Sequence, residues 1–148
     1  MCGTVYLPLN SYIVLGGTFG RLKINNNDMY NVGVYQANGV SKNLSINFNN
    51  FILNYSCKKN FTQDIISIGI GTSLDYSQCF FNGNSINVTQ LNSLFTLNVN
   101  FIRCYRNIAY SQVYNNSFYK TTYANFEQWL DAGSNLTTGT IIANNTNN

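Results

Sequence analysis

From Ser93 to Cys104 the chain reads Ser-Leu-Phe-Thr-Leu-Asn-Val-Asn-Phe-Ile-Arg-Cys, with Phe95, Leu97, Val99 and Phe101 on one parity and Thr96, Asn98 and Asn100 between them. Side chains along a strand alternate between two faces, so this pattern predicts a strand with one face in a core and one in water. The same alternation recurs at Val5–Leu9, Arg21–Ile24, Met29–Tyr35, Leu44–Phe48, Phe51–Cys57 and Ile66–Ile70. Tyr12–Leu15 is a continuous apolar run, the pattern of a strand covered on both faces. The parity changes at Asn49-Asn50, which a β-bulge or a short turn would explain.

Residues that accept turn dihedrals separate these runs: Gly16–Gly20, Asn25–Asp28, Asn38-Gly39 and Asn82-Gly83. The last two predict hairpins, Asn82-Gly83 joining Tyr76–Phe81 to Ser85–Leu91. Gly16–Gly20 is no phosphate cradle, because a strand pattern follows where a helix would be needed. One helix is expected, Asn125–Ala132, where Phe126, Trp129 and Leu130 form a stripe and Gly133 closes the end. Its Trp129 reads as a core plug rather than a ligand platform.

Short strands with Asn/Gly turns every 8 to 12 residues predict an all-β fold, an antiparallel β-sandwich of jelly-roll type with one short C-terminal helix. A β-helix is the lesser alternative, because no internal repeat or fixed rung period is visible. One domain is expected over residues 1–143, with 144–148 a frayed polar tail.

Composition changes the picture of the surface. Charged residues are 9% of the chain, against about 25% in ordinary domains. Asparagine is the most abundant polar residue, at 27 of 148, and there is no histidine. The net charge of +3 is scattered and predicts no nucleic-acid partner. No run approaches the ~18 apolar residues of a membrane span, and the start lacks the basic and apolar regions of a leader.

Candidate chemistry is sparse. Without histidine there is no Ser-His-Asp or Cys-His pair, and the cysteine spacing fits no metal site, so no cofactor or metal is expected. Asp28, Asp64, Asp75, Glu127 and Asp131 are the only carboxylates. None pairs persuasively in the sequence, and no enzymatic activity is expected. Of Cys2, Cys57, Cys79 and Cys104, an antiparallel layout puts Cys57 and Cys104 at one end of a sheet as a candidate disulfide. Seven Asn-x-Ser/Thr sequons, at Asn43, Asn54, Asn60, Asn87, Asn115, Asn135 and Asn144, are candidate N-glycosylation sites. Tyr105, Tyr110, Tyr114, Tyr119 and Tyr123 mark a candidate face for subunit or glycan contact.

A chain of this character (all-β, charge-poor, rich in Asn, Tyr, Ser and Thr) resembles exterior structural proteins of viruses. The likeness is one of composition and transfers no residue role. It implies a self-assembling coat, spike or fibre subunit on a virion exterior or surface filament, a homo-oligomer or a partner of other structural subunits. The alternative is a carbohydrate- or receptor-binding module acting in host attachment at an extracellular surface.

Overall fold

The computed structural model describes residues 11–17, 19–37, 43–120 and 123–148. Among them are seventeen strands and no helix. The chain winds through five rungs. The first holds β1 (Ser11–Gly16), β2 (Leu22–Asn25) and β3 (Asp28–Tyr30); the second β4 (Val32–Ala37), β5 (Leu44–Asn47) and β6 (Asn50–Tyr55). The third holds β7 (Phe61–Ile70), β8 (Tyr76–Ser77), β9 (Phe80–Asn82) and β10 (Ser85–Gln90). The fourth holds β11 (Leu97–Cys104), β12 (Ile108–Ala109), β13 (Gln112–Tyr114) and β14 (Ser117–Lys120). The fifth holds β15 (Ala124–Asp131), β16 (Ile141–Ala143) and β17 (Thr146–Asn147).

Each strand pairs in parallel with its counterpart one rung away, giving sheets in the orders β1-β4-β7-β11-β15, β2-β5-β9-β13-β16 and β3-β6-β10-β14-β17, plus the small pair β8-β12. This is a parallel β-solenoid, and the antiparallel sandwich or jelly roll expected from the sequence is corrected. The physical reason is that alternation reports one wet face and one dry face, and is silent on strand direction. Ordinary parallel sheets are covered on both sides and read as unbroken apolar runs. In a solenoid the outer face of a parallel sheet meets water, so it reads like an antiparallel one.

Register stacks like on like. On the long sheet Ile13, Val34, Ile66, Ile102 and Leu130 pair in succession, and on the third sheet Met29, Phe51, Ile86 and Phe118 do so. Apart from Ile13, which is exposed at the first rung, these rows meet in one core, closed at the last rung by Trp129, whose ring lies 5.8 Å from Phe101 and 4.5 Å from Phe126.

The second and third sheets join through a two-residue corner in every rung. Its first residue is left-handed: Asn26, Phe48, Gly83, Asn115 and Asn144, with φ between 54° and 66°. Its second is Asn27, Asn49, Asn84, Asn116 or Asn145. The side-chain oxygen of each of the last four accepts from the backbone N–H and the amide of the corner asparagine one rung earlier, at 2.9 to 3.1 Å. The amides of Asn49, Asn84, Asn116 and Asn145 also donate to the carbonyls of Ile24, Ile46, Phe81 and Val113. The ladder therefore satisfies backbone groups that a sharp corner would otherwise strand. An internal repeat exists after all: an apolar residue, any residue, the left-handed residue, Asn, a polar residue.

Several local expectations change with it. Asn125–Asp131 lies in β15 rather than a helix: opposite Val99 and Asn100 the strand bulges at Glu127, and the extra residue mimics a helical stripe. Trp129 does plug the core. Asn82-Gly83 turns a corner between sheets and joins no hairpin. Residues 144–148, expected to fray, form the last corner and β17. The strand expected at Val5–Leu9 and the Asn38-Gly39 hairpin lie outside the described residues, as does Cys2.

Candidate functional site

The shortness of β4 makes room for a cavity. It pairs with β7 only from Ile66 onward, so Phe61–Asp64 have no partner strand on that side among the described residues. The gap opens onto the outer flank of the long sheet as a cavity of about 420 Å³, walled by Tyr12 and Val14 of β1, Tyr35 of β4, Phe61–Asp64 and Ser67 of β7, and Tyr105 beyond β11. The rings of Tyr12 and Tyr35 meet edge to face at 6.1 Å.

Gln63 anchors the wall. It is 3% exposed, and its amide nitrogen donates to the Tyr12 hydroxyl at 2.7 Å and to the Asp64 backbone carbonyl. A carbonyl can only accept, which fixes the amide orientation and leaves Gln63 Oε1 buried with no partner. A buried acceptor in that state costs roughly 1–3 kcal/mol unless something donates to it.

Beside it, the Asp64 carboxylate accepts from Asn100 Nδ2 at 2.8 Å. Burial pushes the Asp64 carboxyl above its ordinary range, against the Asn100 hydrogen bond and the nearby Arg103 charge. Burial likewise raises the phenols of Tyr12 and Tyr105. Asn100 Oδ1 is a second buried acceptor without a partner. Arg103 is already committed: it forms an ion pair with Asp131 and lies 5.2 Å over the Tyr105 ring. Val14, Tyr35, Ser67, Arg103 and Asp131 share one register row, so the solenoid itself lines these groups up.

A larger cavity of about 620 Å³ lies over the first rung, walled by Ile24, Met29 and Val32 at the end of the core and by Asn25 and the first ladder asparagine, Asn27. It contains none of the unpartnered buried polar atoms, so the flank cavity is the better candidate.

No family model matches the chain, nor does any curated protein or solved structure. The site therefore stands on its own residues.

Of the sequence candidates, only Tyr105 and Asp64 reach it. Tyr110 sits at a left-handed corner, Tyr114 on the second sheet, Tyr119 on the third and Tyr123 just before β15, so the five tyrosines share no face. Cys104 is a free buried thiol, as is Cys79, so the expected Cys57–Cys104 bridge is corrected; Cys57 is disulfide-bonded. Burial pushes the Cys79 and Cys104 thiols up to about 12 and about 11. Among the sequons, Asn54, Asn60, Asn115 and Asn144 are exposed, while Asn43, Asn87 and Asn135 are half-buried. Sequence reasoning missed Tyr12, Tyr35 and Gln63, because only the rung stacking brings Gln63 to Tyr12, 51 residues away.

Proposed function

We propose that this chain is a carbohydrate-binding module that holds a sugar in the flank cavity of the long sheet. The observation that carries this reading is the pairing of tyrosine faces from three rungs with a buried, unpartnered amide oxygen and a carboxylate. Sugar rings stack their C–H faces on aromatic rings, and fixed polar groups orient their hydroxyls. A solenoid suits the task, since every wall residue but Tyr105 lies in a strand paired to a neighbour.

The disulfide at Cys57 and the charge-poor skin support a place at an oxidising exterior, such as the surface of a virion or cell. Self-assembly as a structural subunit is the lesser reading, because its supposed contact tract is spread over several faces.

A glycan array followed by calorimetry tests the proposal. Tyr35→Ala and Tyr105→Ala should each weaken binding about fivefold, the effect of losing about 1 kcal/mol of ring contact, with unchanged melting temperature. An array without a binder overturns it, as do variants that bind like the parent.

A further inference from the structure

We infer that the flank cavity is selective for a protonated amino sugar over neutral and acidic ones. This rests on the carbohydrate-binding reading and adds the ligand's chemical class. Among the described residues of the cavity wall, the buried polar atom left without a partner is an acceptor, Gln63 Oε1, and a second such acceptor, Asn100 Oδ1, belongs to the residue bonded to Asp64. Asp64 adds carboxylate oxygens to the same set. The buried amide donors are spent, with the Gln63 amide on Tyr12 and Asp64, and the Asn100 amide on Asp64, and the remaining side-chain donors of the wall are neutral hydroxyls.

The charges point the same way. Facing Asp64 are Tyr12 from β1, Tyr35 from β4, Arg103 at the end of β11 with Tyr105 beyond it, and Asp131 from β15 behind Arg103. Arg103 is paired with Asp131, which leaves the Asp64 carboxylate as the unbalanced charge among the described residues that line the cavity. Among the described residues no lysine lines the cavity.

An ammonium group brings three donors and no acceptor, and the tyrosine faces attract cations. A uronate would meet a carboxylate with no free cation to offset it. A neutral sugar satisfies the acceptors through its hydroxyls but gains nothing from the charge.

Calorimetry at about pH 6, where an amine of this kind is protonated, separates the cases using three trisaccharides: glucosamine, N-acetylglucosamine and galacturonate. The glucosamine form should bind about tenfold tighter than the N-acetyl form, and its binding should weaken as salt is added. Asp64→Asn keeps the shape and the Asn100 contact; it should erase that preference, so that the glucosamine form binds no tighter than the N-acetyl form to the same variant. Equal or tighter binding of the N-acetyl or galacturonate form overturns the selectivity and leaves sugar binding standing. Failure of all three to bind, together with an empty array, overturns both.

Discussion

At the scale of single residues, the molecule depends on what one amide side chain can do. Asn84 is 1% exposed; its oxygen accepts twice from Asn49, and its nitrogen donates to Ile46 O and Asn116 Oδ1. No other neutral side chain of that length offers both roles. Asn84→Ala leaves several buried groups unpaired and should cost about 2–4 kcal/mol in urea denaturation. Asn27→Ala, at the exposed end of the ladder, should cost under about 1 kcal/mol. Equal losses would show that the ladder is decoration. The sequence displayed the asparagine excess openly but left its meaning hidden. Five left-handed asparagines (Asn26, Asn31, Asn43, Asn115, Asn144) and the five ladder residues make ten of the 27, engaged in turning the backbone. Two sequons, Asn115-Asn116-Ser117 and Asn144-Asn145-Thr146, are copies of the corner itself, so the corner alone generates them whether or not a glycan is attached.

At the scale of elements, what was legible was that strands exist and where many of them lie. Leu97, Val99 and Phe101 are buried as expected, whereas Phe95 of the same parity is half-buried ahead of β11 and Asn100, expected in water, is buried. Strand direction was hidden, and so was the repeat, because ladder asparagines are 22, 35, 32 and 29 residues apart. Insertions fall in the other loops, from a single residue between β3 and β4 to nine between β15 and β16, while the ladder corner stays at two. Searching for the corner motif instead of a fixed period would have found it. That corner makes its own demand at Gly83, where φ is 66° and an added Cβ would lie 2.5 Å from the Phe48 ring. Gly83→Ala should cost about 1–2 kcal/mol for the left-handed backbone alone, plus the displacement of Phe48. In a double-mutant cycle Phe48→Ala should recover only the second part. Full recovery would mean that the dihedral carries no penalty there.

At the scale of the whole molecule, the rungs form a linear stack in which strands pair only with those of neighbouring rungs, the Tyr12–Gln63 bond reaching one rung further, so stability approximates a sum of rung and interface terms rather than one indivisible quantity. β7 and β11 pair on both sides, whereas β1 and β15 pair on one among the described strands. The flank cavity lies toward the first rungs and the only tryptophan, Trp129, in the last. Local opening should therefore be graded. Amide exchange should be slowest in β7 and β11 and faster toward β1 and β17, following the number of paired edges. Trp129 fluorescence should change at lower denaturant than the far-ultraviolet signal of the whole stack. A sugar seated between Tyr12, Tyr35 and Asp64 would tie the first three rungs together, so saturating ligand should slow exchange in β1 and β4 more than in β15. Uniform exchange with coincident transitions would instead mean that the asparagine ladder and the continuous core weld five rungs into one cooperative unit. In that case ligand binding would protect every rung alike, and the linear picture would have to be given up.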